Sequence, residues 1–296
     1  MTFSIVARSD DGKLHGVAVA SKFLAVGAAV PAAEATIGAV ATQSYANLAY
    51  RPQALTMLRT GVTAAGAVAG LTAADDERDH RQLGIVGASG DGATYTGAAC
   101  HAWAGGHCGP GYAVQGNILT GPDVVDAMRD AWLDTDGDFA TRLLAALAAG
   151  DQAGGDKRGR QSAAIHIVGK NTGYGGTSDV AMDLRVDDHT DPVTELTRLV
   201  HAHRLYFGKP DPALVMAFDA TLSAEVGQLL ARLGHAGEVE TALHSWAGIA
   251  NLEERMVPGG IDPLVLAELR RAVAGIAPGT NELHIPVGGI SHIGRL

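Results

Sequence analysis

Residues 1–22 constrain this chain more than any other stretch. A hydroxyl residue, Thr2, follows the initiator. An apolar run Phe3–Arg8, a polar turn Ser9–Gly12 and a second apolar run Gly16–Ala20 come next. Asp11-Gly12 between two apolar runs is a strong hairpin signal. Once Met1 is removed, Thr2 carries a nucleophile and a base on one residue. A threonine hydroxyl is a weak nucleophile and needs a base beside it. An α-amino group titrates near ~8 and is partly neutral at neutral pH, so it can take the hydroxyl proton. Many chains begin Met-Thr, so these two residues do not carry that reading alone.

Ser21 and Lys22 end the second predicted strand. If the two strands pair antiparallel, both lie beside Thr2, where Lys22 can lower the pKa of the amine. A solvated strand-end cation is an equal account of Lys22. A third apolar run, Ile37–Thr42, ends in Gln43-Ser44-Tyr45-Ala46-Asn47. Side-chain amides there, Gln43 and Asn47 above all, can donate to an oxyanion or hold a substrate carbonyl. Residues 51–60 and 63–74 keep a helical stripe, with Pro52 suited to a first turn. A second strand pair is expected at Gln82–Ala88 and Ala93–Gly97, around Ser89-Gly-Asp-Gly92.

Cys100-His101 and His107-Cys108 suggest a zinc site, but adjacent Cys-His pairs lack the usual ligand spacing. A glycine-rich, turn-rich stretch around a buried Trp103 is the better account, and no metal is expected. That stretch runs on through Gln115-Gly-Asn117, with Asn117 a further candidate amide. Residues 121–134 and 139–150 read as amphipathic helices. Gly154-Gly-Asp156-Lys157-Arg158-Gly159-Arg160-Gln161-Ser162 leads into a strand at Ala163–Val168. Three cations in so short a loop suit a carboxylate or phosphate, since Arg presents a planar fork to both. The order is not that of a P-loop. A strand at Val180–Val186 and a helix at 190–206 follow. Asp187-Asp188-His189 between them reads as a capped turn.

The formal charge of −10 argues against nucleic-acid and membrane-surface partners. No signal-peptide pattern and no ~20-residue apolar run is present. The 2 cysteines make no disulfide framework. A soluble cytoplasmic protein with a small-molecule substrate and no cofactor is expected. Gly208–Pro212 is a Pro-rich link, after which 213–278 reads as helices only. Residues 279–296 read as an extended tail that docks on a neighbouring subunit, predicting a homo-oligomer (dimer or higher).

The motifs Thr2–Arg8, Gly16–Lys22, Gly38–Gln43, Gln115–Leu119 and Gly154–Ser162, in this order, resemble the DUF1028 family over residues 1–207. This is a bacterial and archaeal family of unassigned function whose fold is similar to the Ntn (N-terminal nucleophile) hydrolases. Trp246–Arg255 with Ile261-Asp-Pro263 resembles a small peptidoglycan-binding-like domain often fused to it. The resemblance implies an α+β fold, a four-layer αββα sandwich over 1–208, with a small all-α domain over 209–278 and the tail over 279–296. It also implies a catalytic N-terminal threonine at the end of a central strand. The first strand pair is similar to the proteasome β-subunit start, but Ser21 stands where that family has an Asp.

The expected function is that of an amidohydrolase acting on a small, anionic amide. Thr2 is the nucleophile and Ser21 and Lys22 tune it. Gln43, Asn47 or Asn117 steadies the oxyanion, and Asp156, Lys157, Arg158, Arg160, Gln161 and Ser162 hold the anionic group. The alternatives are a non-catalytic small-ligand-binding or scaffolding protein on the same fold, and a metal enzyme built on the histidines.

Overall fold

The computed structural model describes residues 2–275. The chain forms two compact units that divide between His203 and Arg204. The tail expected over 279–296 lies outside the described residues.

In the first unit, strands β1 (Thr2–Arg8) and β2 (Leu14–Ser21) form the predicted hairpin, with Phe3 opposite Ala20 and Arg8 opposite His15. Gly12 turns it at φ +74°, and a Cβ there would meet the Arg8 guanidinium, so the turn needs glycine. A short helix α1 (Val26–Ala29) precedes β3 (Pro31–Glu34) and β4 (Gly38–Gln43). Helices α2 (Tyr50–Arg59) and α3 (Ala64–Ala73) follow, the latter capped by the Thr63 hydroxyl. Next come β5 (Gln82–Gly87), β6 (Gly92–Thr96), β7 (Gly105–Gly109) and β8 (Tyr112–Asn117). The unit continues with α4 (Asp123–Asp134), α5 (Phe139–Gln152), β9 (Ser162–Gly169), β10 (Val180–Val186) and α6 (Pro192–Phe207), whose residues from Arg204 on are counted with the second unit.

Two antiparallel sheets result, one ordered β10-β9-β2-β1-β8-β7 and the other β3-β4-β5-β6. The period of two along each strand sorts the side chains between faces. Phe3, Ile5 and Ala7 of β1 join a core with Met128, Trp132, Leu143 and Leu196 of the helices. Val6, from the alternate set, joins Val17, Val19, Ala39, Ala41, Val86 and Ala113. This second cluster draws on both sheets, and its buried members are all Val or Ala. Helices α2 and α3 cover the other face of the smaller sheet through Tyr50, Ala54, Leu58 and Leu71 against Val40, Leu83 and Ile85. The fold is α+β.

Residues 100–117 depart from the expected turn-rich stretch. Here β7 and β8 are strands of the large sheet, and Trp103 is only half-buried. The glycines serve close approach. A Cβ on Gly106 would lie 2.3 Å from the Val114 carbonyl, and one on Gly116 would lie 2.5 Å from Leu119. Glycine inside a strand marks such contacts as readily as it marks a turn.

The second unit comprises β11 (Met216–Ala217), α7 (Ala220–Arg232), α8 (Val239–Ile249), β12 (Gly260–Ile261) and α9 (Pro263–Ala274). It has a closed core of Leu222, Val226, Leu230, Leu243, Trp246, Leu266 and Leu269. The expected helices form, and β11 pairs with β12 in a short ladder that a reading as helices only omitted. Asp262 caps α9 through the Leu264 N–H and pairs with buried Arg255 at 2.7 Å. Arg255 also donates to the carbonyls of Leu205 and Arg204 in the last turn of α6, where carbonyls run out of helical donors; that of Arg204 accepts from the Gly208 N–H as well.

Candidate active site

The layer of Val and Ala between the sheets turns polar at one end. Register explains it: β1 and β8 pair Thr2 with Asn117 and Ser4 with Gln115. The β4–β5 ladder pairs Gln43 with Gln82. Thr2 and Ser4 alternate into the same face as Val6, and Gln115 and Asn117 into that of Ala113. Ser4, Gln43, Gln82, Gln115 and Asn117 are at most 1% exposed. Buried polar groups of this kind persist only when paired.

They are paired with one another, apart from Gln115 Oε1, which takes no hydrogen bond. Ser4 donates to Gln43 Oε1 at 2.7 Å and accepts from Gln115 Nε2 at 2.7 Å. Gln82 Oε1 accepts from both Gln43 Nε2 and Asn117 Nδ2 at 2.9 Å. Gln82 Nε2 in turn donates to the Gly116 carbonyl at 2.6 Å. Gly84 makes room for the set, since a Cβ there would lie 2.1 Å from Gln115 Oε1. The set converges on Thr2, whose carbonyl accepts from Gln43 Nε2 at 3.3 Å and Asn117 Nδ2 at 3.5 Å.

Thr2 itself is 6% exposed, and its Oγ1 lies 3.1 Å from Ser21 Oγ. This pair of hydroxyls has one member on each strand of the opening hairpin. Lys22, next in the chain, donates its backbone N–H to Asp156 Oδ2 at 2.7 Å, and its Nζ donates to the Arg160 carbonyl at 3.3 Å.

The basic loop divides into two sets. Asp156 turns inward, and its Oδ1 accepts the Arg158 N–H at 2.8 Å. Ser162 Oγ is buried, donates to the Phe23 carbonyl and accepts the Val26 N–H. These two residues fasten the segment after Ser21. The cations face outward: the side chains of Arg158 and Arg160 are 45% and 48% exposed. Arg158 pairs with Asp156 and Arg160 with Asp151, while Gln161 donates to Asp188. Lys157 donates its N–H to the Ile118 carbonyl at 3.3 Å, which ties the loop to the end of β8.

Asn47 lies in a different group from Gln43 and Asn117. It donates to Asp75 Oδ2 at 3.3 Å, where Arg81 and Tyr50 also bind. The Arg81 guanidinium foremost, with the Tyr50 hydroxyl, holds the Asp75 carboxyl well below the usual range. Burial and the hydrogen bond to Asp75 push Tyr50 up. A cavity of about 710 Å³ opens here between α2 and α3, lined by Asn47, Tyr50, Met57, Leu71 and Asp75 among others.

The Cys and His residues at 100–108 take separate partners. Cys100 contacts the Arg81 carbonyl, His101 contacts the Tyr45 hydroxyl and His107 binds Asp126. Among the described residues no group of three potential ligands is placed to hold a metal, and no helix is long and apolar enough to cross a membrane.

Ser4, Gln82 and Gln115 were absent from the expected site. Alternation was the available signal: each lies two residues, or one cross-strand step, from a residue already suspected.

Known proteins give further findings. A family model described as "Family of unknown function (DUF1028)" matches residues 2–196. A second, "Putative peptidoglycan binding domain", matches residues 206–269. No curated protein matches. Among solved structures the chain is similar to protein SPO2555 from Silicibacter pomeroyi, a DUF1028 structure, at 30% identity and TM-score 0.63, covering 69% of this chain and 86% of that one.

Proposed function

The chain belongs to the DUF1028 family, and on that premise we propose that it is an Ntn-type amidohydrolase that cleaves a small anionic amide through Thr2. The reading takes the two sheets and their flanking helices as the αββα sandwich of that class. Its support is that helices cover each sheet while a Val and Ala layer joins the sheets. A shared fold leaves the chemistry to the site.

One observation carries the chemistry: the buried Thr2 hydroxyl, 3.1 Å from Ser21 at the end of a central strand. Once Thr2 is the N-terminus, its amine takes the hydroxyl proton as Oγ1 attacks the amide carbonyl. The tetrahedral intermediate collapses, the C–N bond breaks and the proton passes to the departing amine. Water then attacks the resulting ester, releases the acid and restores Thr2. Ser21 orients the hydroxyl, and Lys22 biases the amine toward its neutral form. Gln43 and Asn117 hold the Thr2 carbonyl and so fix where its hydroxyl points. They are also the candidate donors to the oxyanion, each good donor contributing ~3 kcal/mol, whereas Asn47 is held away from them at Asp75. Lys157, Arg158, Arg160 and Gln161, on the outer side of the loop, are the candidates to take the anionic group, while Asp156 and Ser162 keep the loop beside Ser21.

The test is intact mass of the purified protein together with Thr2→Ala in an amide-hydrolysis screen. The expected result is active protein lacking Met1 and a loss of at least ~10³-fold in kcat for Thr2→Ala. Met1 retained quantitatively in active protein overturns the mechanism.

A second reading, a non-catalytic ligand-binding protein, draws on the same amides: Gln43 and Asn117 spend their donors within the protein. It requires unchanged ligand affinity in Thr2→Ala and no turnover by either protein.

The small C-terminal unit and the homo-oligomer belong to this reading as well. The 206–269 match makes a cell-wall glycan a partner to try for that unit, and size by light scattering tests the oligomer.

A further inference from the structure

Gln43 leads directly into a distorted turn. Ser44 and Tyr45 both adopt left-handed backbone, at φ +59° and +47°, a conformation uncommon outside glycine. Arg81 holds it by donating Nη1 to the Tyr45 carbonyl at 2.5 Å. The Tyr45 side chain is thereby turned out to solvent at 62% exposure. It is not loose there. The His80 ring meets it edge-on at 5.6 Å, the His101 ring at 5.8 Å, and His101 Nε2 lies 3.1 Å from its hydroxyl.

This group adjoins the residues that hold Thr2. Tyr45 is two residues from Gln43, and Cα steps of 3.8 Å keep the two within about 8 Å. The His101 carbonyl accepts the Ile118 N–H at 2.9 Å, and Ile118 follows Asn117. Both amides that hold Thr2 therefore lead straight into the Tyr45–His101 pair. On the side of β2, Ser21 leads to Lys22 and to Phe23, which is 53% exposed. The basic loop is bound to that side through Asp156.

A fixed, exposed ring braced by two further rings is a stacking surface, since aromatic groups gain from offset or edge contacts beyond the area they bury. We propose that Tyr45 is a specificity-determining residue of this site: it takes a planar ring on the substrate while the basic loop takes a carboxylate. The substrate class is then a ring-bearing N-acyl amino acid or a similar flat anionic amide. This rests on the Thr2 site being the place where the amide binds.

Binding on the Thr2→Ala protein separates this inference from catalysis. The probes are N-benzoylglycine and N-acetylphenylalanine against N-acetylglycine, by calorimetry. Tyr45→Asn removes the ring and keeps a residue that tolerates left-handed backbone, and Tyr45→Phe keeps the ring. The expected result is that a ring-bearing probe binds more tightly than N-acetylglycine. Tyr45→Asn then weakens that probe by about tenfold and N-acetylglycine by less than twofold, while Tyr45→Phe restores the preference. Equal weakening of all probes, no preference for a ring, or no binding of any probe overturns it. Ring preference with no turnover by the unmutated protein leaves this inference standing and removes the hydrolase. Turnover that depends on Thr2 but ignores Tyr45 does the reverse.

Discussion

His15 shows how one buried side chain sets a pH limit. It is fully buried in β2, and burial, with the Arg8 guanidinium nearby, pulls its imidazole down from 6.5 to about 4. The folded protein thus keeps His15 neutral at pH values where the unfolded chain has already taken up a proton. Its contribution is complete above about pH 6.5 and is lost as pH falls toward 4, by about 3 kcal/mol in all at ~1.4 kcal/mol per unit. Urea midpoints between pH 7 and 4 should fall less steeply for His15→Leu; parallel curves refute this. Gln82 makes a second case. Its carbonyl accepts from two amides and its amide binds the Gly116 carbonyl. Gln82→Leu strands those groups without water and should cost ~3 kcal/mol in urea unfolding, with a matching loss of order around Thr2 by hydrogen exchange.

Among the elements, Arg255 joins three pieces of the second unit. Its buried guanidinium binds Asp262 at the start of α9 and the carbonyls of Leu205 and Arg204. Removing one partner of a buried pair leaves the other uncompensated. Arg255→Ala should therefore lower that unit's stability by ~3–5 kcal/mol, seen as an earlier melting step by circular dichroism. The strands with clear alternation and the helices with a clear stripe could be read from sequence. Phe3–Arg8, Gln82–Ala88 and the helix at 139–150 all formed within a residue or two of their expected ends. The pair β7 and β8 could not be read, because Gly105, Gly106, Gly109 and Gly116 look like turn residues until a neighbouring strand is known to need the space. For the same reason Thr2, Ser21, Gln43 and Asn117 could be suspected one by one, whereas Gln82 and Ser4, which bind them together, depended on register. Asn47 was suspected on proximity in sequence to Gln43, and the turn at Ser44-Tyr45 carries it to Asp75 instead.

For the molecule as a whole, the cores of the two units share no buried residue among the described residues. Calorimetry should show two transitions, with Leu266→Ala moving one by ~3 kcal/mol and leaving the other in place; a single transition that shifts as a block refutes it. One last consequence is temporal. Thr2 is bracketed in its sheet by a strand that is its immediate neighbour in the chain and by another whose Asn117 lies 115 residues away. During synthesis the hairpin partner is at hand almost at once, but the strand that supplies the amides arrives much later, and such distant pairings form slowly. The start of β1 is thus flanked on both sides only after β8 has been made, and on the proposed reading Thr2 stays open to N-terminal trimming over that interval.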